Sequence, residues 1–339
     1  MVISIDGSYG EGGGQIVRSA ISLSTLTGRE VEIYNIRAGR SNPGLRPQHM
    51  AAVNCIKKIC DAETKGVKKS SSKLFFKPKT VKNGELTFNI GTAGSMTLVF
   101  QTVILGVVNS GKTVVVNLTG GSDVRWSPPW DFFENVFLPC LKQMNIDVES
   151  DLYKRGYYPR GGGEAKIKIS PTDKITSLNL RDSDKVNKIF GVVHISDLPD
   201  HINKRIKHTV IQNLLKENID TMIKTDRCDA LNPGVGVTLW NRNKKRFIGS
   251  GVLGEKGMPS EEVGSKAAEK IIKEIKSDST VGIHLFDQIL PYLALSEKKC
   301  MIKVRNISSH AETNMWLIKK FFDIDFQISE KENVFSIEV

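Results

Sequence analysis

Near the carboxyl end, the stretch CMIKVRNISSHAETNMWLIKKFF sets one histidine, His310, between a buried-strand pattern and an apolar helical pattern through Met315, Ile318 and Phe322. Ser309 and Glu312 stand at capping-box spacing, which predicts a helix capped by Ser309 with His310 at its first position. Free amide N–H groups and the positive end of the helix dipole disfavour imidazolium there. They leave a neutral ring nitrogen able to attack phosphorus. A second candidate is YGEGGGQIVR, residues 9–18, a glycine-rich turn at the mouth of a helix. Its backbone N–H groups can approach an anion, Glu11 offers a carboxylate to a divalent ion, and Arg18 lies one turn into the helix. Three consecutive glycines require close backbone approach or positive φ, and a tight strand-to-helix turn with no ligand meets the same requirement.

The loop RAGRSNPGLRPQH gathers Arg37, Arg40 and Arg46 with Gln48 and His49, a set suited to clamping a terminal phosphate, although basic loops are commonly just solvated. Gln101 interrupts the apolar helix MTLVFQTVILGVV and needs a polar partner. HLFDQ, residues 284–288, reads as a strand-to-helix join where Asp287 caps the helix or faces a nucleotide. GVVNSGKT, residues 106–113, matches G-x-x-x-x-G-K-[ST] but is set aside. That motif needs a strand entering and a helix leaving, whereas here a helix enters and the strand VVVNL leaves.

The elements that position these residues recur. Strand, helix, strand, helix and strand, with room for one more strand, run from Val2 to Phe76. The order returns from ELTFNI to EAKIKI, and again from the strand VGIHL at Val281 to NVFSIEV. The expected fold is therefore α/β, three β-α-β-α-β-β repeats. Pro291 should kink or end the helix that contains it. About a hundred residues between the second and third units break the pattern and read as a compact α/β insertion. The expected domains are residues 1–178 with 280–339, and an insert at 179–279. His194, His201 and His208 fall in the insert at irregular spacing without neighbouring cysteines, so solvated or capping roles are expected rather than metal binding.

Composition narrows the class. The chain has 339 residues, 40% hydrophobic and 25% charged, an ordinary globular balance. Its 48 Lys and Arg against 37 Asp and Glu give +11 and a pI near 9.3, a bias towards polyanions, although part of that surplus, including Lys244, Lys245 and Arg246 in an expected hairpin turn, is solvated surface. Five scattered cysteines lack C-x-x-C spacing, which argues against a disulfide framework and for a reducing cytosol. With no signal-peptide pattern and no apolar run of membrane-spanning length, a soluble cytoplasmic protein is expected.

In order along nearly the whole chain, GSYGEGGGQI, RAGRSNPGLRPQH, GTAGSMTLVFQT, RGYYPRGGGE, HLFDQ and SHAETN resemble the RNA 3′-terminal phosphate cyclase family. The resemblance implies the same repeat fold with an insert. It also implies ATP-dependent conversion of an RNA 3′-phosphate to a 2′,3′-cyclic phosphate through histidine-AMP and RNA-adenylate intermediates. By position, His310 matches the adenylylated histidine. Gln101, His284, Leu285, Phe286, Asp287 and Gln288 match nucleotide-contacting positions. Glu11 matches an acidic residue near a divalent cation, Mg or Mn, while Arg18, Arg37, Arg40, Gln48 and His49 match polar active-site residues. RNA ends and nucleotide are the implied partners, no membrane is, and the oligomeric state stays open. A non-catalytic RNA-binding relative in ribosome assembly is the alternative, opposed by the presence of His310, Glu11 and Arg18. An enolpyruvyl transferase built from similar repeats is opposed by the insert and by SHAETN. End recognition is expected to be independent of sequence, because no interleaved aromatic platform for bases is visible.

Overall fold

A computed structural model describes residues 2–339. The first unit comprises β1 (Ile3–Asp6), α1 (Gly14–Thr27), β2 (Val31–Tyr34), α2 (Pro47–Cys60), β3 (Glu63–Lys65) and β4 (Leu74–Lys77). Its sheet has the order β1-β2-β4-β3, with β1 parallel to β2 and the other pairs antiparallel. The second unit repeats this plan with β5 (Gly84–Asn89), α3 (Met96–Val107), β6 (Val114–Gly120), a composite helix, β7 (Val148–Lys154) and β8 (Gly163–Ile169), in the order β5-β6-β8-β7. The composite helix runs from α4 (Trp130–Phe132) through a π-helical turn (Phe133–Phe137) into α5 (Leu138–Gln143). Since α3 enters the GVVNSGKT segment and β6 leaves it, the wrong polarity for phosphate is borne out.

The insertion holds β9 (Lys188–Ser196), α6 (Asp200–Leu215), β10 (Asp220–Arg227), β11 (Gly234–Trp240), β12 (Gly249–Leu253) and α7 (Ser260–Lys276), with sheet order β10-β9-β11-β12. Ile189, Val193, Ile206, Val210, Leu239 and Ile271 belong to an apolar cluster of its own. Arg246 is not the solvated turn residue expected. Its guanidinium is buried and donates to the carbonyls of Glu274, Ile275 and Ser277, which satisfies the carboxyl end of α7.

The third unit departs from the repeat. It consists of α8 (Ile283–Ala294), β13 (Met301–Val304), α9 (Ser309–Ile318), β14 (Gln327–Lys331) and β15 (Val334–Glu338), with a three-stranded antiparallel sheet ordered β13-β15-β14. The expected strand VGIHL is reduced to one bridge, Val281 beside Phe247, and His284 is already helical. Buried Leu285, Phe286, Ile289, Leu290 and Leu293 recur at helical spacing, and that longer pattern outweighs the short alternation before it. Pro291 does not end α8. It only removes the N–H that would bond the Asp287 carbonyl, and Asn314 Nδ2 donates to that carbonyl instead at 2.8 Å.

Helices bring the units together. α1 packs against α2, α3 and α9, and α8 packs against α3 and α9. Along α3 every residue is buried except Gln101, so the one amide in that helix is the one position turned out of the core.

Candidate active site

The first and last repeats meet along α1 and α9. Gln15 faces His310 and Ser19 faces Asn314, one helical turn further along both helices; Ser19 Oγ donates to Asn314 Oδ1 at 3.0 Å. Ahead of α1 the glycine turn docks on the same helix. The Glu11 amide donates to Thr313 Oγ1 at 3.1 Å, and the Tyr9 ring stacks on Trp316 with centroids 4.0 Å apart. The glycines have separate uses. Gly12 sits at φ +58°, while a Cβ on Gly14 would fall 2.1 Å from His49 Nε2, so only glycine lets the chain pass.

His310 occupies the second position of α9, not the first. Ser308, rather than Ser309, is the cap: its Oγ accepts from the Ala311 amide at 3.1 Å and donates to Asp287 Oδ1 at 2.5 Å. The consequence for the ring is unchanged. Nδ1 lies 2.5 Å from Gln15 Oε1, while Gln15 Nε2 reaches the His310 carbonyl at 3.4 Å, which fixes the amide with its oxygen towards the ring. An amide oxygen only accepts, so Nδ1 carries the proton and the lone pair is on Nε2. Burial, with Arg18 and Arg40 nearby, holds the imidazole below its ordinary pKa.

His310 lines a cavity of about 530 Å³ together with Gln15, Arg18, Gln101, His284, Asp287 and Gln288. On α8, residues 284, 287, 288 and 291 fall on the face turned to the cavity. Leu285 and Phe286 are fully buried in the core on the other face and do not line it, so their side chains are not available to a ligand there. Gln101 Nε2 donates to Gln288 Oε1 at 2.6 Å, the partner its helix demanded, and Gln288 Nε2 donates to the His284 carbonyl at 2.7 Å. Burial lowers the Arg18 guanidinium to about 10, still cationic at neutral pH. Arg18 has no ion pair among the described residues, and an unpaired cation facing a cavity suits an anion. The insertion contributes as well, through Gly251 of β12 and Lys270 of α7.

The remaining basic residues divide. Arg40 pairs with the Glu11 carboxylate and donates to its carbonyl at 2.9 Å, so it borders the His310 site. Arg37 instead fastens its own loop, donating to the carbonyls of Asn42 at 2.6 Å and Gly44 at 3.0 Å. Gln48 and His49 stand in the first turn of α2 and are not among the cavity walls. His49 is buried, its Nδ1 accepts from the Arg46 amide, and burial with Arg18, Arg37 and Arg46 drives it down to about 3, so it is neutral. Glu11 is the carboxylate next to His310, its Oε2 lying 3.7 Å from Nδ1. This carboxylate is engaged by Arg40 and is not a cavity wall, so it offers an oxygen ligand to a hard divalent cation only when that ion pair opens.

A second polar cluster lies apart from this cavity. His194 is buried, not solvated: Nδ1 meets the Tyr157 hydroxyl at 2.7 Å, and its other nitrogen lies 3.4 Å from Asp123. Asp123, Asp131 and His194 hold ligand-type atoms within 4.8 Å of one another. Arg155 already supplies the positive charge there, bonding Asp123, Asp131 and Asp226 at 3.0, 3.1 and 2.7 Å and so joining the second repeat to the insertion. Sequence spacing gives no sign of this cluster. It also misses Gln15 and Asn314, whose only signal is their place in the motifs GSYGEGGGQI and SHAETN.

A family model described as RNA 3′-terminal phosphate cyclase matches residues 9–328. Proteins of that name from Pyrobaculum aerophilum and Methanosarcina mazei are 40% and 39% identical over the whole of this chain, covering 98% and 100% of their own lengths. The Pyrococcus furiosus protein is 40% identical over 96% of this chain and 95% of its own. Among the described residues no helix is long and apolar enough to cross a membrane. With its motifs, repeats and full-length similarity in agreement, this chain belongs to the RNA 3′-terminal phosphate cyclase family.

Proposed function

We propose that the protein cyclises RNA 3′-phosphates at the expense of ATP, with His310 as the nucleophile. The observation that carries this reading is a neutral imidazole whose Nε2 is free, at the wall of a cavity that also holds an unpaired arginine and a glutamine pair. His310 Nε2 attacks the α-phosphorus of ATP; an N–P bond forms, the bond to the bridging oxygen breaks, and pyrophosphate leaves. Gln15 holds the ring N–H throughout. Arg18 offsets the charge on the phosphoryl oxygens. An oxygen of the RNA 3′-phosphate next attacks the same phosphorus, freeing His310. Finally the neighbouring 2′-hydroxyl, losing its proton, attacks the 3′-phosphorus and expels AMP, a far better leaving group than oxide. Gln101, His284, Asp287 and Gln288 orient the nucleotide. Glu11 would hold a Mg or Mn ion, which supplies charge neutralisation to the triphosphate when bound.

Arg37, Arg40, Gln48 and His49 belong in this reading to the surroundings of the RNA end: Arg37 holds its loop, neutral His49 backs the glycine turn, and Arg40 acts through Glu11. Residues 1–178 with 280–339 form the repeat body and 179–279 the inserted domain, a division supported by the separate apolar cluster of the insertion. Free thiols at all five cysteines accord with a cytoplasmic location. The test is incubation with ATP labelled at the α-phosphate and a divalent ion, without RNA. An acid-labile, alkali-stable protein adduct that is absent from His310→Ala is expected. An adduct of equal yield in the variant would remove His310 from the role.

A further inference from the structure

The rim of the cavity carries a tryptophan that the mechanism above does not use. Trp126 is 93% exposed, whereas Trp130 and Trp240 are buried. It nonetheless contributes to the cavity wall beside Ser127, Pro128 and Pro129. Its backbone sits at φ +60°, a conformation that bulky side chains rarely adopt. The chain on both sides is tied down. Arg125 pairs with Glu255 of the insertion, Ser127 Oγ donates to the Val124 carbonyl at 2.8 Å, and the Pro128 carbonyl accepts from Thr97 Oγ1 at 2.8 Å. An indole with nearly all its surface in water is not inside the cavity, so a mononucleotide seated within would leave most of it uncovered. A ligand that extends out through the mouth covers it. The sequence shows no interleaved aromatic platform for bases; the fold leaves this single indole exposed at the cavity rim.

We infer that Trp126 stacks on the terminal base of the RNA whose 3′-phosphate enters the cavity. The inference rests on the cyclase reading, and it makes end recognition a matter of base stacking, which tolerates every base because each has a π-face. The test uses a fluorescein-labelled oligoribonucleotide carrying a 3′-phosphate and a 2′-O-methyl terminal ribose, which binds but cannot cyclise, with anisotropy as the readout. Trp126→Ala is expected to weaken binding roughly fivefold to a hundredfold, the range of one base–aromatic stack. Trp126→Phe should keep most of the affinity, and an abasic terminal nucleotide should abolish the difference between wild type and Trp126→Ala. Adduct formation from ATP alone should follow the wild type.

Equal affinity in Trp126→Ala would overturn the inference. So would a deficit that persists on the abasic oligonucleotide, or a loss of the ATP-only adduct, which would place the indole at the nucleotide. Binding needs no adenylylation, so a wild type that binds the oligonucleotide without forming a histidine adduct would sink the mechanism and leave the stacking result to be read by itself.

Discussion

Gln15 Oε1 and His310 Nδ1 stand 2.5 Å apart across the packed faces of α1 and α9, and that contact decides which nitrogen of the imidazole is free. Gln15→Ala removes the acceptor, leaving the ring free to change tautomer and orientation. A lost hydrogen bond to a half-exposed ring is worth ~0.5–1.5 kcal/mol, so adduct formation from ATP should fall roughly twofold to tenfold with the fold intact. Single-turnover labelling reads this, and an unchanged rate would remove Gln15 from the mechanism.

The pH profile of the same reaction should follow His310. Burial first, then Arg18 and Arg40, lower its pKa, so the nucleophile is deprotonated below the ordinary 6.5. The midpoint of the acid limb is therefore expected below 6.5. Arg40→Ala removes one positive neighbour and should move that midpoint up. A midpoint that falls, or stays fixed, in Arg40→Ala contradicts this electrostatic account.

Asp287 provides a stability test in the opposite sense. Burial pushes its carboxyl up to about 7 from 3.8, against the single Ser308 bond. A folded-state pKa raised above the unfolded one contributes stability fully below pH 3.8, and that contribution disappears as pH rises through about 7. Asp287→Asn should flatten the fall in thermal stability across this window. Parallel profiles for the two proteins would show that Asp287 titrates normally.

Arg155 anchors the insertion to the second repeat. It is 4% exposed and bonds two buried aspartates, so Arg155→Met leaves uncompensated charge and should cost ~3–5 kcal/mol in urea unfolding. Adding Asp123→Asn and Asp131→Asn should recover much of the loss. A cost under about 1 kcal/mol for Arg155→Met would mean that water or a rearrangement satisfies the carboxylates.

These residues also mark what can be read without coordinates. Gln101 was legible because an amide in an apolar helix must find a polar partner, and it finds Gln288. Two complete repeats were legible from their periodicity. Gln15 was not, because its role depends on a helix 295 residues away. The strand assigned at VGIHL failed because five alternating residues fit two periods, and only the buried set continuing to Leu293 separates them. His194 and Arg246 looked solvated because their burial comes from packing of the insertion, to which local composition is blind.

The central claim concerns one atom, His310 Nε2. The most direct measurement is phosphorus–nitrogen scalar coupling in the AMP adduct of protein labelled with ¹⁵N-histidine. Coupling to Nε2 of His310 is the predicted result; phosphorus bonded to Nδ1, or to any other residue, would contradict it.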